Sequence, residues 1–223
     1  MEERLTIGWK ELLLFIIYYL LFQVVIGLFL GILDAFLGIS VEQQFLVGHY
    51  TLLVDFGFFL ILFFFYGKVR HFVLQSFQFA PMKSLRTYGY IIGGLVVFAL
   101  TQYLLLFLTG LESAAQQGED LGIKNLKTTL DYSLFFIGAA LLTPLKEEFL
   151  FRGLLHRFLD LRYHFLVGLA VSSVLFGILH LGFPISATIM GAVFVILYKV
   201  TRSIVPSIVL HMIWNAIAFI SIL

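Results

Sequence analysis

The stretch Lys146-Glu147-Glu148-Phe149-Leu150-Phe151-Arg152-Gly153 places two adjacent carboxylates and an arginine inside one of the most apolar regions of the chain. The sequence LFFIGAALLTPL precedes the stretch and LLHRFL follows it, so mostly apolar residues flank the charges on both sides. An ionisable side chain at membrane depth costs about 2.5–3.5 kcal/mol on insertion scales. The two acids must therefore face a cavity, a partner or a reaction.

The composition of the whole chain indicates an all-α, polytopic integral membrane protein. Of the 223 residues, 61% are hydrophobic and 12% charged, and the mean hydropathy is +1.04. Soluble domains contain about 45–50% apolar and about 25% charged residues. The net charge of +1 argues against a nucleic-acid partner. The lack of cysteine excludes disulfides, a thiol nucleophile and thiolate metal ligands.

Apolar runs predict a bundle of about seven transmembrane helices, since a span needs about 20 mostly apolar residues. The first run is long enough to be a span rather than a cleaved signal peptide. The predicted spans cover about 9–33, 50–66, 88–109, 132–159, 163–180, 184–198 and 204–223. We divide the chain into an N-terminal part, 1–131, with about three spans and their loops, and a core, 132–223, whose four spans form the site cavity.

The distribution of lysine and arginine predicts the orientation in the membrane, because cytoplasmic loops carry more of both. One side receives ten of these residues near the span ends, and the other receives only Lys124 and Lys127. The bias predicts a cytoplasmic N-terminus.

The charges of the opening stretch separate by helical geometry. Glu148 and Arg152 are four residues apart, so they share a helix face and can neutralise one another. Glu147 points about 100° away from Glu148, because an α-helix has 3.6 residues per turn. Glu147 therefore needs another partner, and His180 and His211 of the later spans are the candidates.

Other polar residues at membrane depth divide into a pair with a chemical interpretation and several without one. His211 and Asn215 share one helix face and can present two donors to a common point, as an oxyanion site requires. Asp55 is predicted to be buried and has no evident partner in the sequence; it could bond to another helix or line the cavity, and its role stays open. The remaining histidines lie near span ends or in loops and are predicted at the surface; they are His49, His71, His156 and His164.

The residue types narrow the chemistry that a peptide-cleaving membrane protein could use. There is no G-x-S-x-G serine motif, no H-E-x-x-H zinc helix and no Gly-Asp pair of an aspartyl intramembrane protease. One unpaired glutamate, two histidines and an asparagine remain. Glutamate and histidine within hydrogen-bond reach can hold a water molecule and remove its proton.

Three motifs then make the core similar to a known family. EEFLFR at Glu147–Arg152, FGILH at Phe176–His180 and HMIWN at His211–Asn215 follow one another on separate predicted helices. In this order they resemble the CPBP family of CAAX proteases and bacteriocin-processing enzymes, formerly called Abi, which includes the type II CAAX prenyl endopeptidases. The resemblance covers about 132–223.

The resemblance implies an intramembrane endopeptidase and assigns a role to each motif residue. Glu147 and His180 would activate the attacking water, and His211 and Asn215 would stabilise the oxyanion. Glu148 and Arg152 would support the site. The implied mechanism needs no metal, although one glutamate and two histidines could also hold zinc.

The implied substrate is a membrane-associated peptide or protein, and the compact chain suggests a prokaryotic plasma membrane. A non-catalytic bacteriocin-immunity or scaffold protein is the first alternative, and a transporter that uses Glu147 as a proton carrier is another.

The depth of His180 tests these expectations. If the helices are straight, Glu147 and His211 fall in the cytoplasmic half of the membrane, whereas His180 falls much nearer the outer face. Either the fifth span is strongly tilted, or the fifth and sixth spans form a hairpin whose turn stays within the membrane beside a polar cavity.

Overall fold

The computed structural model describes residues 6–37, 49–112, 123, 126–180 and 182–222, and no strand occurs in these ranges. The described part of the chain folds into the helices α1 (Trp9–Leu37), α2 (His49–Phe65), α3 (Gly67–Leu74), α4 (Leu85–Gln102), α5 (129–162), α6 (Phe165–Ile178), α7 (Pro184–Thr201) and α8 (Val205–Ile222). A 3₁₀ turn, Ala80–Lys83, precedes α4, and a π-helical segment, Tyr103–Leu108, extends it. The all-α prediction is confirmed.

Several of the helices meet the requirements for crossing a membrane. Three of those described are long and apolar enough, namely α1, α4 with its π-helical extension, and α7. The pair α2 and α3, bent by 99° at Tyr66, gives a fourth candidate if it counts as one span. Helices α6 and α8 are apolar but shorter. The chain is therefore a helical membrane bundle, in which three or four of the seven predicted spans meet this test.

Helix α5 carries the opening stretch and extends three residues further at each end than predicted. It begins at a capping box: the Thr128 Oγ1 accepts from the Asp131 amide at 3.1 Å, and the Asp131 carboxylate accepts from the Thr128 amide at 2.9 Å. Such reciprocal bonds satisfy amides that have no partner inside the helix. Two π-helical segments, Ile137–Leu142 and Phe149–His156, interrupt its α-helical geometry on either side of the two glutamates.

Helix α5 continues through Pro144. Proline lacks an amide hydrogen, and its ring crowds the preceding turn of an α-helix. Here Pro144 lies in the first turn of the α-helical segment Thr143–Glu148, directly after the π-helical segment Ile137–Leu142. A π-helical turn is a recognised way for a helix to accommodate such an interruption.

Helices α6 and α7 form a close hairpin. A Cβ atom at Gly177 would overlap the Thr188 hydroxyl and lie 2.5 Å from the Pro184 carbonyl oxygen, so the backbones approach too closely for any larger residue. Helix α6 has 14 residues and is about 21 Å long, which is less than the roughly 30 Å hydrocarbon layer. This length favours the predicted hairpin, whose turn carries His180 within the membrane.

The two predicted parts of the chain share a hydrophobic core. One cluster joins Phe15 and Phe59 of α1 and α2 to Leu154 and Phe158 of α5, and all four are at most 2% exposed. The division of the chain at residue 131 stays a prediction, and the hydrophobic core contains residues from both sides of it.

His156 contradicts its predicted surface position. The side chain is fully buried, and its ring makes edge contacts with Phe165 and Tyr198 at centroid distances of 5.8 and 5.6 Å. The physical reason is that α5 continues past this residue, so that α6 and α7 cover it. His71 and His164 are exposed as predicted, whereas the side chain of His49 lies outside the described residues.

Candidate active site

Three consecutive ionisable residues of α5 have different partners, although both glutamates contact His211. Lys146 pairs with Asp55 on α2, Glu147 faces His180 and His211, and Glu148 pairs with Arg152 one turn later and with His211. The α-helical geometry of Thr143–Glu148 turns each side chain about 100° from the last. The predicted separation of the two glutamates is confirmed.

The Glu147 carboxylate lies between two imidazoles. Its Oε2 atom is 3.8 Å from the Nε2 atom of His180, on the turn between α6 and α7, and 3.8 Å from the Nε2 atom of His211 on α8. The side chains of Glu147 and His180 are 15% and 22% exposed and that of His211 is 6% exposed, while the Glu147 Oε2 atom itself is buried and has no hydrogen-bond partner among the described residues. The structure therefore brings His180 to the same depth as Glu147.

Each of the two imidazoles is held at its other nitrogen. The Nδ1 atom of His180 is 2.6 Å from the Phe176 carbonyl oxygen, which can only accept, so this nitrogen carries a hydrogen. The Nδ1 atom of His211 is 2.9 Å from the Glu148 Oε1 atom. When each ring is neutral, the Nε2 atom has a free lone pair that points towards Glu147.

The predicted ion pair between Glu148 and Arg152 is confirmed. The Arg152 Nη1 atom is 3.0 Å from the Glu148 Oε1 atom, and the two side chains are 1% and 0% exposed. The guanidinium carbon lies 4.4 and 4.5 Å from the ring centroids of Phe176 and Phe194, and the two rings are inclined by 79° to one another. Cations interact favourably with aromatic faces, so this buried charge has two aromatic contacts.

Asn215 lies on the same helix as His211, one turn later, and its amide reaches back to α5. The Asn215 Nδ2 atom donates to the Ala139 carbonyl oxygen at 2.9 Å. A side-chain amide has two N–H donors, so this bond leaves one for another acceptor. Ala139 is in a π-helical segment of α5, where the widened turn offers its carbonyl to another helix.

Asp55 bonds to two other helices, which is one of the alternatives that the sequence left open. Its carboxylate accepts from Tyr19, Gln23 and Lys146, the last as an ion pair in which the side chains are 12% and 14% exposed. The sequence alone did not identify Lys146 as the partner of Asp55, although three successive ionisable residues of a helix point in three different directions. The partner itself lies 91 residues away, which no local pattern can show.

Glu112, predicted in a polar loop, caps the helix that follows His180. Helix α7 has no side-chain cap of its own at Phe183. The Glu112 Oε1 atom accepts from the amides of Ile185 and Ser186 at 2.8 and 3.0 Å, and its other oxygen accepts from the Ser186 hydroxyl. The side chain is 7% exposed, so a buried acid closes the turn that carries His180.

The site has the donor types of a zinc centre but a wider spacing. Within the described ranges, no group of three or more His, Asp or Glu side chains is arranged to hold a metal ion. The 3.8 Å separations around Glu147 exceed the roughly 3.3 Å between two ligands of tetrahedral zinc with bonds near 2.0–2.1 Å. The histidine Nδ1 contacts would suit either zinc or a metal-free site.

Comparison with known proteins supports the resemblance over the core. Residues 129–217 match the family model described as "Type II CAAX prenyl endopeptidase Rce1-like". This segment covers less than half of the chain and contains every residue of the three motifs. No curated protein and no solved structure matches the chain. The similarity to the CAAX protease family is thus confirmed for the part of the molecule that holds the site.

Proposed function

We propose that this membrane chain, with its type II CAAX endopeptidase-like segment at 129–217, is an intramembrane glutamate-type endopeptidase. One observation carries the proposal: the Glu147 Oε2 atom lies 3.8 Å from the Nε2 atoms of both His180 and His211. A water oxygen placed about 2.8 Å from a carboxylate oxygen and an imidazole nitrogen would bridge such a gap.

The first chemical step is attack by this water. Glu147, with His180, takes a proton as the water oxygen forms a bond to the carbonyl carbon of the scissile peptide. The His180 Nδ1–H bond to the Phe176 carbonyl fixes the ring so that its Nε2 atom faces the water. The carbonyl π electrons move to oxygen and produce a tetrahedral intermediate with a negative charge.

Asn215 and His211 would stabilise that charge. Asn215 would use the N–H that is not bonded to Ala139. His211 can donate from Nε2 only as an imidazolium, because its Nδ1 hydrogen is directed at Glu148. Collapse of the intermediate breaks the C–N bond, and the proton held by Glu147 moves to the leaving amine nitrogen.

The buried position of the site implies a membrane-associated peptide or protein as the substrate. In the proposed orientation the N-terminus is cytoplasmic, and the membrane is a prokaryotic plasma membrane. Peptide pheromones, bacteriocin leaders or bacteriocin immunity fit such a setting.

Removal of His180 tests the proposal. His180→Ala should lower kcat by about 10²–10⁴, because the attacking water loses one of its two proton acceptors. The assay uses purified protein in liposomes with lipid-anchored, quenched fluorescent peptides of varied sequence.

His164→Ala is the matched control, since this exposed histidine lies at the start of α6 and away from the site. Equal cleavage by wild type and His180→Ala would contradict the mechanism. Lack of cleavage by the wild type, with an unchanged cellular phenotype after Glu147 substitution, would favour the non-catalytic immunity or scaffold protein.

Exhaustive chelation separates the metal-free mechanism from its zinc-dependent alternative. We expect cleavage to survive chelation, because Glu147 and His180 suffice to activate water, and metal analysis of the active protein should find less than stoichiometric zinc. If zinc were required, its ligands would be the carboxylate of Glu147 and the Nε2 atoms of both histidines, and it would supply an acidified water molecule. Loss of activity that zinc alone restores would establish that alternative.

A further inference from the structure

A second polar cluster lies directly beside the candidate site and has no part in the proposed chemistry. Asp55 on α2 pairs with Lys146, the residue before Glu147 on α5. Tyr19 and Gln23 of α1 donate to the Oδ1 atom of Asp55, while Lys146 donates to its Oδ2 atom. These donors occupy both oxygens of the carboxylate.

Burying this ion pair costs desolvation free energy, so we expect it to have a role beyond holding the helices together. The Lys146 and Asp55 side chains are only 12% and 14% exposed, and they lie in helices that otherwise bury aromatic and aliphatic residues. A buried ion pair is weak evidence for stability, because the desolvation of both charges can exceed their attraction. An apolar pair could tie α2 to α5 equally well.

An unpaired Lys146 would disturb the carboxylate of its neighbour. Its ammonium sits on a long, flexible stem, and Glu147 is the next residue of the same helix. The ammonium pairs with Asp55 and lies 5.9 Å from the ring centroid of Tyr19. Without Asp55, a free ammonium would lie one residue from the carboxylate of Glu147.

We infer that Asp55 is a positioning residue of the proposed peptidase, which binds Lys146 and so leaves the Glu147 carboxylate available to water and to the two histidines. The inference rests on the proposed function for its catalytic meaning. It also assigns a role to the N-terminal helices, which lie outside the segment similar to CAAX endopeptidases. Tyr19, Gln23 and Asp55 hold one charge of the catalytic helix in place.

A cycle of neutral substitutions tests the inference without relying on cleavage. Asp55→Asn frees a cation beside Glu147, whereas Lys146→Met frees an anion, and the double variant carries neither. Infrared difference spectra against Glu147→Gln, at one fixed pH, report the bonding of the Glu147 carboxylate through the splitting between its antisymmetric and symmetric stretching bands. We expect this splitting to change in Asp55→Asn, where the freed ammonium can contact the carboxylate, and to keep its wild-type value in Lys146→Met. The double variant should match the wild type.

Kinetics supply the second measurement, using whichever lipid-anchored peptide the wild type cleaves. Asp55→Asn should lower kcat about tenfold with little change in KM, and the double variant should regain most of that loss. If the Asp55–Lys146 pair only held α2 against α5, the double variant would be at least as impaired as either single variant. Asp160→Asn is the control, because it breaks another ion pair of α5, with Lys199 at 3.7 Å, away from Glu147.

The outcomes are distinguishable. A wild-type splitting of the Glu147 bands in Asp55→Asn, or a double variant displaced as far as Asp55→Asn, would overturn the inference. If Asp55→Asn fails to fold, Lys146→Met and the double variant decide the same question. Absence of cleavage in every variant, with the expected change in splitting, would count against the peptidase and leave the positioning of Glu147 established.

Discussion

Glu147→Gln should lower kcat for peptide cleavage by about 10³–10⁴, because glutamine has nearly the shape of glutamate but cannot accept a proton. The Oε2 atom of this carboxylate lies 3.8 Å from the Nε2 atoms of both His180 and His211. Substrate affinity should change little, since the loss falls on the transition state. Initial rates in liposomes over a range of peptide concentrations give kcat and KM separately.

The same substitution should leave the fold intact. Glu147 is partly exposed and forms no close ion pair, so we expect the free energy of unfolding to change by less than about 1 kcal/mol. Asp160→Asn, on the same helix, removes another carboxylate and should retain full activity. Cleavage by Glu147→Gln within tenfold of the wild type would exclude Glu147 as the base.

Local spacing predicted the parts of the site that one helix determines. The four-residue interval between Glu148 and Arg152 predicted their ion pair, and the single-residue step predicted that Glu147 faces elsewhere. Both follow from 3.6 residues per turn and need no knowledge of the rest of the fold.

The depth of His180 in the membrane could not be calculated from an ideal rise per residue, because the helices are not uniform. The arithmetic assumed 1.5 Å per residue throughout, whereas α5 contains two π-helical segments and α6 stops after 14 residues. A turn that Glu112 caps from another part of the chain then returns the histidine to Glu147.

Contacts between distant segments were beyond sequence reasoning. Asp55 and Lys146 are separated by 91 residues, and Glu112 and Ser186 by 74. A single sequence shows that a buried charge needs a partner, but many partners satisfy that requirement equally. The burial of His156 has the same origin, because it depends on how α6 and α7 pack over α5.

Arg152→Met should produce the largest loss of stability, about 3–5 kcal/mol in the free energy of unfolding. The substitution leaves Glu148, which is fully buried, without its guanidinium partner at 3.0 Å. It also removes the cation that contacts Phe176 and Phe194, the first of which packs against the His180 ring at 4.3 Å. Denaturant titration in mixed micelles, followed by circular dichroism, measures the loss.

The double variant Glu148→Gln, Arg152→Met separates stability from catalysis. It buries no unpaired charge, so most of the lost stability should return, since neutral replacements of buried ion pairs are often well tolerated. Activity should stay low, because the Nδ1 atom of His211 loses the carboxylate that accepts its hydrogen and holds the ring in place. Arg152→Lys keeps the charge but not the flat, forked guanidinium, and should fall between the two. Wild-type stability in Arg152→Met would show that the pair contributes nothing to the fold, whereas full activity in the double variant would show that Glu148 has no role in supporting His211.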